Sequence, residues 1–244
     1  MDKLKEKSFT LIELLVVIAI IGMLSSIVLV ATKGSRDKAR IAKALEFSQT
    51  IHTSLGSEAV GIWDFDNCTA SDASGYGNNG TINGAICSSD TPYSAIGQGT
   101  GKNSLSFDGV DDYVNVPMVQ SGTYTVSLWL YRNGLSHQYI FDARSSSGTG
   151  CLYWDSGGTL IRTGGGTIYV DGVVTNILGV DDWHFVTVSG ISMNIISRIT
   201  IGTRYSSEMF WNGLIDDVRI YSQALSSTEI QKHYVEDLEK HKNL

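Results

Sequence analysis

From Leu14 to Thr32 the chain runs for 19 residues without a charge, mostly Leu, Val and Ile with Gly22, Ser25 and Ser26 set among them. At a helical rise of about 1.5 Å per residue such a run spans about 28 Å, close to the hydrocarbon thickness of a bilayer. A membrane-crossing helix over residues 9–32 is the natural expectation. Glu13 sits just inside its apolar end. An ionisable group there costs about 2.5 kcal/mol or more near a helix centre and persists when something pairs with it, so the position calls for a cation. A secretory signal peptide has a shorter apolar run and a small-residue cleavage site. An ordinary signal anchor fits the length but leaves Glu13 unexplained.

After the run, Ile41, Ala44, Leu45, Ser48, Ile51 and Leu55 recur at three- and four-residue steps, which predicts an amphipathic helix over 34–56. Gly56-Ser57 is a plausible end for it. Charge divides unevenly. Residues 1–56 carry 8 Lys/Arg against 5 Asp/Glu, a net +3, and the remainder carries 10 against 20, a net −10. An acidic distal part argues against nucleic acid as a partner. Basic residues flank the apolar run on both sides, with a mild excess after it, so the positive-inside rule alone favours putting the following segment inside.

Beyond Gly61 short β-rich runs alternate with Gly, Ser, Thr and Asn. Strands are expected at 61–65, 104–107, 113–116, 124–131, 138–142, 151–154, 160–163, 167–170, 183–189, 199–202 and 213–221, with alternation clearest in 124–130 and 184–188. Asp171-Gly172 and Asn212-Gly213 read as turns between such runs. Closely spaced strands with little helix between them imply an antiparallel sandwich or barrel. Near the end, Ser226 and Glu229 have capping-box spacing, and Ile230, Tyr234 and Leu238 form a stripe, so a short C-terminal helix should pack on the domain.

Two resemblances gather these pieces. Ser8-Phe9-Thr10-Leu11-Ile12-Glu13 and the apolar run resemble the N-terminus of type IV pilins and type II secretion pseudopilins, with Ser8 standing where the family has glycine and no proline midway along the helix. The resemblance implies a leader over 1–8 in the cytoplasm and a helix over 9–56. A prepilin peptidase would cut between Ser8 and Phe9, the new amino group of Phe9 would be methylated, and it would pair with Glu13 of a neighbouring subunit in a filament. Gly61-Ile62-Trp63-Asp64-Phe65-Asp66, the stretch from Asp72 to Thr81, Leu105 to Val114, Trp183 to Val186 and Asn212 to Tyr221 resemble pieces of a concanavalin A-like, laminin-G-like jelly roll. The expected fold class is therefore mainly β: an antiparallel jelly-roll sandwich over 57–225 on a long N-terminal helix, closed by a helix and tail over 226–244.

Cys68 and Cys87 flank a Gly- and Asn-rich loop, and an extracytoplasmic location permits a bridge between them that leaves Cys151 over. By the jelly-roll resemblance, Asp216 heads a strand that supplies a structural calcium ligand, with Asp64, Asp66 and Asp72 in the opening segment beside it. Hard oxygen ligands suit Ca2+, although aspartates of this kind also cap turns. For catalysis the sequence offers little. The paired carboxylates of glycoside hydrolases are missing, Glu208 being the one glutamate between Gly61 and Ile220. The five histidines show no metal spacing, and Gly97 to Lys102 lacks the glycine and hydroxyl of a phosphate loop. Trp129, Tyr131, Tyr139, Trp154, Tyr169 and Trp211 could be sugar platforms, but aromatics in alternating strands more often fill a core. Not an enzyme but a pilin-like filament subunit is expected, displaying a lectin-like domain that contacts a glycan or protein. A membrane-anchored adhesin and a secretion pseudopilin are the alternatives.

Overall fold

A computed structural model describes residues 11–12, 14–21, 59–92, 103–134, 136–144, 149–195 and 197–242. The chain divides into two compact units, Met1–Thr53 and Ser54–Leu244. In the first, residues 11–12 and 14–21 are helical, with apolar side chains exposed along the segment. Among the described residues no helix is long and apolar enough to cross a membrane. The expected helix over 9–56 otherwise lies outside the described residues.

The second unit is an antiparallel sandwich. One sheet has the order β11-β10-β12-β6-β14-β4-β3, and β1 adds to it on β14. Its strands are β1 (Ala59–Trp63), β3 (Ile86–Ser88), β4 (Ser104–Asp108), β6 (Gln120–Arg132), β10 (Thr167–Val170), β11 (Val173–Val174), β12 (Trp183–Ile195) and β14 (Asn212–Tyr221). The other sheet runs β2-β5-β13-β7-β8-β9, from β2 (Thr81–Asn83), β5 (Tyr113–Pro117), β13 (Arg198–Ile201), β7 (Gln138–Asp142), β8 (Cys151–Trp154) and β9 (Leu160–Thr163).

Alternation decides which side chains meet between the sheets. Val126, Leu128, Leu130, Val186, Val188, Ile215 and Ile220 come from the first sheet, and Val114, Val116, Ile140, Phe141, Leu152, Trp154, Ile199 and Ile201 from the second. All are buried. β14 takes two partners along one side, β4 against Asn212 to Ile215 and β1 against Val218 to Tyr221. Between these halves lies a bulge at Asp216-Asp217, where Asp217 has a φ of 49°.

Asp171-Gly172 is the expected turn. Both residues have positive φ, 53° and 76°, and they join β10 to β11 in a two-residue hairpin. Asn212-Gly213 is not a turn: both residues lie inside β14. Gly213 is needed there for another reason. With φ at 149°, a Cβ on it would sit 2.0 Å from the carbonyl oxygen of Tyr131 on the adjacent strand.

The outer face of the first sheet is covered by the C-terminal helix (Ser227–Lys242). Ser226 and Glu229 close a capping box, the Ser226 N–H donating to Glu229 Oε2 at 2.7 Å and the Glu229 N–H to Ser226 Oγ at 3.3 Å. Ile230 packs with Ala59, Tyr169, Tyr221 and Leu225, while Tyr234 and Leu238 pack against Trp129, Trp183, Phe185 and Leu214. An ion pair between Arg219 and buried Asp237, 3.3 Å apart, fixes the helix to β14.

Candidate functional site

Of the expected processing and assembly residues, Ser8, Phe9 and Glu13 lie outside the described residues. The expected bridge is present, Cys68 bonded to Cys87 with Cα atoms 5.4 Å apart. Cys151 is buried and free, its Sγ 3.1 Å from Thr163 Oγ1. Burial pushes its thiol pKa up, although contacts with Thr163 and Arg144 oppose this. Iodoacetamide is therefore expected to label Cys151 only after denaturation, as read by peptide mass mapping of native and unfolded protein. Labelling at the same rate in both states would contradict the burial.

The four aspartates expected around calcium are separated in role. Asp72 knots the loop between β1 and β2: its Oδ1 accepts the N–H groups of Ile62 and Ser74 at 3.0 and 2.9 Å, and its Oδ2 accepts that of Asn78 at 2.8 Å. Burial pushes this carboxyl up, but the hydrogen bonds from Ser74, Ile62 and Asn78 outweigh it and hold the pKa below the usual carboxylate value. Asn78 in turn bonds the Val60 carbonyl through its side chain at 2.7 Å and receives the Trp63 indole N–H on its own carbonyl at 2.9 Å. Asp64 Oδ1 caps the Asp66 N–H. Asp216 is buried in β14, its Oδ1 accepting the Asp217 N–H at 2.8 Å. No three of Asp64, Asp66, Asp72 and Asp216 bring their carboxylates within 4.8 Å of one another. Among the described residues the acidic group that does gather is Asp108, Asp111 and Asp112. It is occupied in part by its own backbone, since Asp112 Oδ2 accepts the Asp108 N–H and Asp108 Oδ1 that of Val110.

His184 pairs with Asp171, Nδ1 to Oδ2 at 2.7 Å, and Asp171 Oδ1 also accepts the Phe185 N–H. The other ring nitrogen, Nε2, lies against Gly179. The pair therefore pins the β10–β11 turn to β12. Glu208 is exposed and reaches Arg204 across a short connection.

The aromatic residues sort by sheet face. Trp154 and Trp211 are core, while Trp129, Tyr131 and Tyr169 belong to the layer under the C-terminal helix. Only Tyr139 of the six expected platforms faces out from the six-stranded sheet, where it stacks on Tyr153 with ring centroids 4.9 Å apart. His137 stacks on Tyr153 at 4.9 Å and on Tyr139 at 5.7 Å. The guanidinium of Arg144 lies 5.4 Å from the Tyr139 ring and 5.3 Å from that of Tyr205. Both oxygens of buried Asp142 hold Arg144, at 2.9 Å from Nε and 2.7 Å from Nη2. Arg144, Tyr153 and Tyr205 carry no motif in sequence: they come from three segments that only the sheet order brings together.

Comparison with known proteins finds family matches over two parts of the chain. Residues 161–231 match the family described as the concanavalin A-like lectin/glucanases superfamily. Residues 3–29 match the prokaryotic N-terminal methylation motif, found in membrane-anchored pilin-like proteins. No curated protein matches the chain in sequence. Among solved structures, domain 4 of an extracellular arabinanase from Geobacillus stearothermophilus, in complex with arabinotriose, superposes with a TM-score of 0.51 at 16% identity, over 72% of this chain and 97% of that one. The binding domain of botulinum neurotoxin serotype D gives 0.52 at 12% identity, over 76% of this chain and 52% of that one, so the chain spans about half of its length. At these identities the likeness is one of fold, a jelly roll.

Proposed function

We propose that this chain is a pilin-like subunit, cleaved between Ser8 and Phe9, whose N-terminal helix packs into a type IV pilus or related filament and whose lectin-like jelly roll is displayed at the cell surface for contact with a glycan or protein. The observation that carries the reading is the methylation motif over residues 3–29, with Phe9 and Glu13 in register for it. The described part of the helix supports it, because Leu11, Ile12, Leu14, Leu15, Val16, Ile18, Ile20 and Ile21 are all exposed in the isolated chain. A helix apolar all round needs lipid or other helices to cover it. Within such a bundle the Glu13 carboxylate would be stabilised by the methylated Phe9 amine of an adjacent copy.

The test is the mature N-terminus, sequenced from purified membranes. N-methylated Phe9 is the expected first residue; an intact Met1, or a cut after the apolar run, overturns the reading. Glu13→Gln is expected to reduce sheared surface filaments by about tenfold or more, since a buried amine without its carboxylate is costly by about 3 kcal/mol or more. Unchanged filament yield would leave a tethered β-domain, the adhesin reading.

A further inference from the structure

The outer face of the six-stranded sheet holds a pocket. Val114, Val116, Ile199 and Ile201 turn into the core, so strand alternation turns Asn115, Pro117, Arg198 and Thr200 outward. The ladder lines these up in a row: Asn115 is opposite Thr200, and Thr200 is opposite Asp142. The connection from β13 to β14 folds back over that row. Thr200 Oγ1 donates to the Thr203 carbonyl at 3.0 Å, and the Tyr205 N–H donates to Asp142 Oδ2 at 3.1 Å. Between them lies a pocket of about 310 Å³ lined by Asn115, Pro117, Arg144, Ser197, Arg198 and Tyr205. That is the lower end of small-ligand sites, from about 300 Å³ upward, and suits one sugar ring.

Two observations give the pocket a chemistry. The first is charge. Arg144 is answered within the protein by Asp142, so it contributes a fixed, aromatic-backed plane rather than a net charge. Arg198 is not answered in this way. Its Nη2 donates to the Tyr205 carbonyl at 3.1 Å, and among the described residues no carboxylate pairs with it. A local cation on a part of the chain with 10 Lys/Arg against 20 Asp/Glu is a departure from its surroundings. The second is an unmet acceptor: Asn115 Oδ1 is buried with no hydrogen-bond partner among the described residues. Such an atom calls for a donor from outside the fold. A bare anion such as sulfate would satisfy Arg198 but offers Asn115 no donor, whereas a hydroxylated carboxylate offers both.

We infer that this pocket binds an acidic sugar, with its carboxylate on Arg198 and a ring hydroxyl donated to Asn115. The inference rests on the lectin-like half of the proposed function and is independent of cleavage and assembly. Its test uses the full chain in a sugar-free detergent, titrated by calorimetry with glucuronate, glucose and sulfate. Glucuronate is expected to bind about tenfold or more tightly than either of the others. Arg198→Gln, at an exposed position, should lose that preference with an unchanged thermal midpoint. Arg162→Gln, which removes an exposed arginine from edge strand β9 on the far side of β7 and β8, should keep it. Glucose or sulfate matching glucuronate in the unmodified chain overturns the inference whatever the variants do. So does an equal loss in Arg162→Gln and Arg198→Gln. Because the N-terminal sequence of the mature protein reads only processing, failure of this pocket and failure of the filament reading are told apart.

Discussion

Trp63→Ala is expected to lower the unfolding free energy of the jelly roll by about 3–5 kcal/mol, the range for removing a large aromatic from a packed core. Trp63 is fully buried at 0% exposure, and its ring lies flat over Gly61, where an added Cβ would come within 2.3 Å of it. Its indole N–H also donates to the Asn78 carbonyl, so truncation leaves both a cavity and an unmet, partly buried acceptor. Trp63→Phe separates the two contributions: it fills most of the space but cannot donate, and should cost about 1–3 kcal/mol. Urea unfolding of the full chain followed by circular dichroism measures both. A loss under about 1 kcal/mol for the alanine variant would mean that β1 is not an integral strand of the sandwich.

The second large effect is expected at the Cys68–Cys87 bridge. It closes a loop of 19 residues, and opening it by a paired serine replacement should cost about 3 kcal/mol, mainly by freeing the unfolded chain. The same loop is knotted by Asp72 through Ile62, Ser74 and Asn78, so the native loop should keep its shape and the loss should appear in the urea midpoint. A midpoint unchanged within error would show that the bridge constrains nothing the unfolded chain explores.

Where sequence reasoning reached the fold, it did so through periodicity. Gln138–Asp142, Cys151–Trp154, Leu160–Thr163 and Thr167–Val170 fall at the expected bounds, because alternating β-branched and aromatic residues stop at Gly-, Ser- or Asp-rich turns. Thr81–Asn83, Ile86–Ser88 and Val173–Val174 were not legible. Each is two or three residues long and stands at or near a sheet edge with half-exposed side chains, so no buried face imposes a pattern. The ends of β6 and β12 escaped for a related reason: residues 120–123 of β6 are polar or Gly, and they are held as strand by pairing with Ser192 to Ile195 rather than by their own preference. Asn212-Gly213 has the letters of a turn but sits in β14 because Tyr131 approaches too closely for a side chain. The arginine pocket had no signature at all. Arg144, Arg198 and Tyr205 lie in three separate segments, and only the order β5-β13-β7 with its folded-back connection makes them neighbours.

β1 has a mechanical consequence. Among the described residues it is the first strand of the domain; it pairs with β14 over Ala59 to Trp63 and is tied on its other side to the following loop through Asp72, Ala73 and Asn78. Any tension arriving along the chain from an anchored N-terminus, against a grip elsewhere on the domain, is borne first by that ladder and those loop bonds. The indole of Trp63, threaded behind the loop at Asn78, then acts as a bolt that must be drawn before the strand can peel away. Resistance to pulling would be set by the β1–β14 ladder, the loop bonds and this bolt, while the pocket on the opposite sheet stays outside the line of force.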